Sequence, residues 1–325
     1  MPKKKLPYVR TRLAVHVPSA RLLLLPKMTD FVQAKGLTTV SDFTINAAAS
    51  CSATATSLAP YEVDGVIVDN LLSEDEAAQL VAAAERSKGF AFWDPDGGEV
   101  RRAVRNADTL EFEDEEFCAA LWSRLAPFVP ASVPFSEDDE ERFEPDLEGE
   151  WVATGLNPHL LLNRYAGGGH FAPHADGSTL VDFNHRSLYT VLIYLNHCAD
   201  GGGTQLLSSE VGETSELSAS GARVARPESV LYRVGPVCGR AVTYYHQTLH
   251  AGETVGDGCC KYCLRTDVMY RRKEPLCTAP DDIKAFELVL AARAREAAGE
   301  PMEAVPLYRR ARRLSEGIAR ACRLR

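Results

Sequence analysis

Nowhere in its 325 residues does this chain approach the roughly 18 consecutive apolar residues that a membrane-spanning helix needs. Its longest apolar clusters are LLLL at 22–25 and YTVLIYL at 189–195, so a soluble globular protein is expected. A cysteine framework is also missing. Nine cysteines are an odd number and scatter without regular spacing, which argues against a disulfide-stapled secreted domain and for a reducing compartment. Cys260 and Cys263 form a lone CxxC in CCKYC, with no second ligand pair for a zinc knuckle. On a strand, such a pair also points to opposite faces. The GGGH at 167–170 is not followed by GK[ST], and Pro173 with the alternation of HFAPHAD favours an extended segment over a helix. A phosphate cradle is thereby disfavoured.

The net negative charge is concentrated in one place. The formal net charge is −9, and Glu137 to Glu150 alone holds nine acids against one arginine, leaving about −1 for the remainder. That segment reads as a solvated surface loop, with a docking patch for a basic partner as the sharper alternative. Residues 1–27 carry seven Lys or Arg and no acid. With the Ser/Thr/Ala-rich stretch around ATATSLAP at 53–60, they form an expected tail over 1–59. It is disordered or an organellar targeting segment.

From Tyr61 the pattern changes. YEVDGVIVDN alternates like a strand, and Ser73 with Glu76 makes a capping box at the head of LLSEDEAAQLVAAAERS. A second helix is expected over 114–128, ended by Pro127, Pro130 and Pro134. Between 151 and 272 helix-length patterns are absent. Short β-branched or aromatic runs alternate there with Gly, Asn, Asp and Pro clusters, which points to an antiparallel sandwich or jelly roll. Over 278–323 a helical hairpin turning at Gly299–Pro301 is expected. The spacing of Ala292, Ala304, Tyr308 and Ala311 resembles one tetratricopeptide repeat. It reads as a helix pair packed on the β core, or as a partner-binding appendage.

Residues i and i+2 of an extended chain project to one side, so His174 and Asp176 converge on one point. A two-histidine, one-carboxylate facial site for non-heme Fe(II) needs one further histidine from elsewhere. An HxD pair is weak by itself, because a hydrogen-bonded turn histidine beside a capping aspartate has the same signature.

The downstream string GRAVTYYHQTLHAGETVGDGCCKYCLRTDVMY adds that histidine, and here the chain resembles the iron- and 2-oxoglutarate-dependent dioxygenases of the prolyl 4-hydroxylase type. The matching residues are Arg164-Tyr165, Gly168, Phe171, His174 and Asp176, then RSLYTVLIYLN, GGGT at 201–204, His250-Ala-Gly252 and Lys261. They place a dioxygenase domain over 60–275, with its catalytic jelly roll at 151–272. The resemblance implies an α+β fold: a double-stranded β-helix (jelly-roll) core with flanking N-terminal helices and the C-terminal hairpin. It implies that His174, Asp176 and His250 hold Fe(II). The far carboxylate of 2-oxoglutarate would be held by Lys261 or by its rival Arg265, with Tyr165 reaching the same cosubstrate. Lys261 lies eleven residues after His250 instead of ten, and Cys259-Cys260 offers a place for an insertion. His246 shares a strand face with His250 but lacks the following glycine of the pattern. His170 reads as a neighbour that supports the site or as a surface residue. Gly203 stands where many relatives carry an acid, and Ala251 where HEG is common.

The implied reaction hydroxylates a C–H bond of a prolyl- or lysyl-type peptide or of a small molecule. O2 is consumed, 2-oxoglutarate becomes succinate and CO2, and ascorbate keeps the iron reduced. A nucleic-acid demethylase on the same fold would want a basic groove with stacking aromatics, and no basic cluster lies near the triad. The remaining alternative is a non-catalytic jelly-roll interaction protein that uses the acidic loop and the C-terminal hairpin.

Overall fold

A computed structural model describes residues 37–45, 52–94, 98–136, 144–210 and 213–324. Its organising element is the strand Lys261–Arg272. This strand pairs with His185–Tyr194 on one side, and on the other with His159–Tyr165 and then Gly149–Leu156. Successive side chains alternate across a strand, so Lys261, Cys263, Arg265 and Asp267 share one face, and Leu264 and Val268 the other. Ala241–Tyr245 and Gly65–Asp69 extend this sheet on one flank and Asp108–Glu113 on the other, making eleven antiparallel strands among the described residues. A second antiparallel sheet runs in the order Val230–Val234, Thr204–Leu207, His250–Gly252, His170–His174, Arg105–Asn106.

The large sheet is buried on both faces. On one, Leu160, Leu162, Ile193, Leu264 and Val268 join Leu80 and Ala84 of the helix Glu74–Ser87 and Phe117 and Leu121 of the helix Glu115–Leu125. On the other, Tyr165, Tyr194, Val242, Tyr244 and Cys263 meet Leu206 and Val234 of the smaller sheet. The expected capping box is present: the Glu76 backbone N–H donates to Ser73 Oγ at 3.1 Å, and the Ser73 N–H to Glu76 Oε2 at 2.9 Å. Among the described residues from 151 to 272 the one helical element is a 3-10 turn, Pro227–Ser229. The fold is therefore α+β with large antiparallel sheets.

Three places differ from the sequence reading. The stretch 53–60, expected within a disordered or targeting tail, contains a strand, Thr54–Ser57, paired with Gly65–Asp69. β-Branched Thr54 and Thr56 suit a sheet edge, and upstream Phe43 packs edge-on against Phe117, ring centres 5.4 Å apart. The acidic segment, expected as a solvated loop, is anchored by Asp146, which is 2% exposed and lies 3.3 Å from Arg186 Nη2 and 3.2 Å from Arg293 Nη1. Burial would raise its pKa, but Arg186 and then Arg293 hold it below the ordinary value. Residues 137–143 of that segment lie outside the described residues. The expected hairpin, Pro280–Ala297 and Pro301–Leu314, is followed by a third helix, Glu316–Ala321. Ser315 caps it by accepting the Ile318 N–H at 2.9 Å, so the chain turns there instead of fraying. Buried Ala285, Phe286, Val289, Ala311 and Ile318 close this helical layer over Phe183.

Breaking a buried ion pair by removing one partner strands the other charge. Asp146→Ala should therefore lower the unfolding free energy by about 3 kcal/mol. Glu150→Ala, which frees only exposed contacts with Lys273 and Ser132, should have a far smaller effect. Urea unfolding of the two variants checks this, and equal losses would contradict the buried anchor.

Candidate metal centre

His174 ends one strand of the smaller sheet, and His250 opens its neighbour. The two residues are direct cross-strand partners, with ring centres 4.2 Å apart. Asp176, two residues beyond His174, is 7% exposed and completes the group. His174 Nε2 lies 3.8 Å from Asp176 Oδ1, and His250 Nε2 lies 3.6 Å from Asp176 Oδ2. One donor atom from each of the three residues lies within 4.8 Å of the others, as a shared cation requires. The sequence reading of the triad is thus brought together in space.

The hydrogen bonds orient the rings. His174 Nδ1 is 2.7 Å from the Ala172 carbonyl and His250 Nδ1 is 2.9 Å from the Thr248 carbonyl. With Nδ1–H donated to a carbonyl, the lone pair of each neutral ring sits on Nε2, which faces the shared point. Burial lowers both pKa values. His174 falls to about 3, with the nearby His250 adding to the effect. Burial alone would raise the Asp176 pKa, but Arg265 foremost, then His250 and His174, hold it well below the carboxylate range. Two neutral imidazoles and one ionised carboxylate are the protonation states that bind a divalent ion without releasing protons. Phe171 stacks on His174, ring centres 3.6 Å apart and planes 20° apart.

The cavity beside this group lies between the two sheets, and its lining includes Tyr165, Lys261 and Arg265. The three expected cosubstrate contacts therefore reach the same space, in different circumstances. Lys261 is 3% exposed; its Nζ lies 5.0 Å from the centre of the Tyr165 ring and 5.3 Å from that of Tyr194. No hydrogen bond or ion pair reaches that ammonium among the described residues. Burial lowers its pKa. Arg265 is ion-paired, Nε 3.5 Å from Asp176 Oδ2 and Nη2 3.2 Å from Asp267 Oδ1. Tyr165 is the cross-strand partner of Lys261. The sequence reading missed Arg105, which lines the same cavity, donates to Asn163 Oδ1 at 2.6 Å and lies over the Phe171 ring. Nothing in RRAVRN distinguishes it from the arginines beside it.

The other histidines stay apart. His246 Nδ1 is engaged by the Leu188 carbonyl at 2.8 Å. Both ring nitrogens of His170 meet carbonyls, of Gly168 and Ala103. It is buried, a structural residue and not a surface one. Gly167 to Gly169 lead into the strand His170–His174 and not into a helix. Gly168 adopts φ 77°, and a Cβ on Gly169 would sit 2.7 Å from the Ala166 carbonyl oxygen. The glycines thus make the tight turn that delivers His174. At Gly203 a Cβ would sit 2.9 Å from the Val234 oxygen. An acid fills that place from elsewhere: Glu253 Oε2 accepts the Gly203 N–H at 3.0 Å and pairs with Arg233 at 2.6 Å.

Residues 160–266 match the model of the 2OG-Fe(II) oxygenase superfamily. Over that third of the chain the sequence is similar to a 2OG-Fe(II) oxygenase domain. No curated protein matches it in sequence. Among solved structures it is similar to a Pseudomonas putida prolyl-4-hydroxylase, at 16% identity and TM-score 0.38, covering 67% of this chain and 96% of that one. It is also similar to a viral collagen prolyl hydroxylase from Paramecium Bursaria Chlorella virus-1, at 15% identity and TM-score 0.35, over 64% and 96% of the two chains. A Trichoplax adhaerens prolyl hydroxylase in complex with a hypoxia inducible factor peptide fragment gives 17% and 0.38, over 63% and 82%. The superfamily implies Fe(II) and 2-oxoglutarate. The donor set of the triad suits the ion, and a buried ammonium without a carboxylate partner suits the dianion.

Because the imidazoles are already neutral, metal affinity should change little between about pH 7.5 and 6, whereas two imidazoles of pKa near 6.5 would weaken it about tenfold. Mn(II) titration followed by electron paramagnetic resonance measures this. A steep fall below pH 6.5 would contradict the depressed pKa values.

Proposed function

We propose that the protein is an Fe(II)- and 2-oxoglutarate-dependent dioxygenase of the prolyl 4-hydroxylase kind, hydroxylating a C–H bond of a peptide or a small molecule. One observation carries the reading. Two imidazoles with Nδ1 committed turn their Nε2 atoms, with the carboxylate of Asp176, onto one point, and an unpaired buried ammonium stands on the same cavity wall. The two facing antiparallel sheets fit a double-stranded β-helix. In this reading the catalytic unit begins with the strand Thr54–Ser57 and ends near residue 275, and the C-terminal helices buttress it through Phe286 and Arg293.

When bound, the iron and 2-oxoglutarate would activate O2, one oxygen atom going to the C–H bond as hydroxyl and the other to succinate as 2-oxoglutarate loses CO2. The chain's own part is placement. His174, Asp176 and His250 would hold the ion from one side and leave positions open for the reaction. Lys261 takes the far carboxylate of the cosubstrate. It sits four residues from Arg265 on the same strand face, about 13 Å along the backbone, which separates the carboxylate anchor from the metal end. Tyr165, opposite Lys261 in the ladder, walls the same end. Phe171 covers one face of the His174 ring and keeps water from it.

Lys261 is preferred to Arg265 as the anchor on electrostatic grounds. A buried ammonium without an anionic partner gains most from a carboxylate, whereas Arg265 already serves two.

Anaerobic addition of Fe(II) and 2-oxoglutarate should produce a weak visible charge-transfer band, absent in Asp176→Ala, and air with ascorbate should then yield succinate. Lys261→Ala should raise the 2-oxoglutarate requirement by about tenfold to a hundredfold, the worth of one charge-assisted contact. A wild-type protein with neither band nor succinate would instead favour the non-catalytic interaction protein.

A further inference from the structure

Arg265 sits against the carboxylate of the triad, and its surroundings give it a role other than holding cosubstrate. Its Nε lies 3.5 Å from Asp176 Oδ2. Thr190 Oγ1 donates to the same oxygen at 2.8 Å. Asp176 Oδ1 accepts no hydrogen bond among the described residues. The guanidinium is gripped from behind: its Nη2 lies 3.2 Å from Asp267 Oδ1. Asp267 Oδ2 accepts from Thr179 Oγ1 at 3.0 Å, and Thr179 Oγ1 in turn accepts from Asn157 Nδ2 at 3.1 Å. The sheet register makes this possible, because Thr190 pairs with Asp267 and Leu192 with Arg265 across adjacent strands. Thr190, Arg265 and Asp267 therefore stand together on the face turned toward the smaller sheet.

We propose that Arg265, braced by Asp267, is a positioning residue for the metal's carboxylate ligand. With Thr190 it occupies Asp176 Oδ2 and so reserves Oδ1 for a one-point bond to the ion. The inference rests on the metal reading of the triad given above. Its physical content is a choice between two modes of one carboxylate. An aspartate free to rotate can offer both oxygens to a cation and consume a fourth coordination position. A facial site is useful only when three positions stay open. A hydrogen bond from Thr190 and the ion pair with Arg265 Nε, both on one oxygen, restrict that freedom, and the guanidinium sets the direction from which its charge acts. The brace matters because an arginine held on one side only could swing with its target. Asp267 and the Thr179–Asn157 chain tie it to the strand Lys261–Arg272 and to the turn before the strand His159–Tyr165.

The test uses the full chain with Mn(II) and Co(II), without cosubstrate and then with it. Arg265→Met, which keeps length and loses the charged fork, should weaken metal affinity by about tenfold to a hundredfold, the usual effect of losing a partner that orients a ligand. It should also change the intensity of the Co(II) visible absorption, which reports coordination number. Asp267→Asn, which leaves the guanidinium in place but loosens its brace, should show a smaller change in the same direction. Arg265→Lys, restoring charge without the fork, should recover only part of the affinity. At saturating metal the 2-oxoglutarate requirement of these variants should stay near that of the wild type. Circular dichroism confirms that each variant is folded, and Asp267→Asn carries the test if Arg265→Met is not. Unchanged affinity and an unchanged Co(II) spectrum in Asp267→Asn and Arg265→Met would overturn the inference. So would a raised 2-oxoglutarate requirement with metal binding intact, which would make Arg265 the cosubstrate anchor. A wild-type chain that binds neither ion would sink the reading of the site itself, a result distinct from both.

Discussion

An ionised carboxylate, Asp176, is buried between two neutral imidazoles, and the rest of the molecule is arranged around making that tolerable. Withdrawing such a group from water carries a penalty of about several kcal/mol unless charge and hydrogen bonds replace the lost hydration. Here the replacements come from both sheets. The smaller sheet brings His174 and His250 together as cross-strand partners. The larger sheet brings Thr190 and Arg265 to the other side of the same carboxylate. Neither sheet holds the group alone, so the site exists only where the two are packed face to face.

That requirement explains the distribution of the hydrophobic core. Tyr165, Tyr194, Val242 and Tyr244 are apolar packing for the gap between the sheets, and they set its width around the polar site. The opposite face of the large sheet has no such duty and is filled by Leu, Val and Ile against two amphipathic helices. The alternation along Lys261–Arg272 separates the two tasks within one strand. Odd-numbered positions from Lys261 to Asp267 serve the site, and Leu264 and Val268 serve the helices. A one-residue slip in this strand's register would exchange the two sets and bury Lys261, Arg265 and Asp267 among leucines.

The sequence made local devices readable and left distant ones hidden. The capping box at Ser73, the absence of α-helix through the β region and the triad at 174, 176 and 250 all announce themselves within a short window or through an ordered string of motifs. What escaped depends on contacts between residues far apart. Asp146 looks like one acid among nine in its segment, and only the arrival of Arg186 and Arg293 makes it a buried anchor. Arg105 reaches the cavity from a two-residue strand that no periodicity could signal. The edge strand Thr54–Ser57 is fully exposed on its own and gains its place only from its neighbour. Gly203 shows the same effect in reverse. The acid missing from its position in the motif is supplied from Glu253, fifty residues on.

The charges left over in the cavity explain why one site can take an ion and a dianion together. Asp176 and Asp267 balance two of the three cations Arg105, Arg265 and Lys261, so these five groups carry +1. Their placement is uneven, however. Both carboxylates and the Arg265 guanidinium lie at the metal end, and the ammonium of Lys261 stands apart between two aromatic rings. Beside the triad the two carboxylates outnumber Arg265, whereas the far end carries the positive charge of Lys261. A divalent cation alone would correct the first and leave the second. A dianion alone would correct the second and repel the carboxylates. Bound together, each sits against its complement. In a cavity of low dielectric that pairing favours joint occupancy, and thermodynamic linkage requires each to raise the affinity for the other by the same factor.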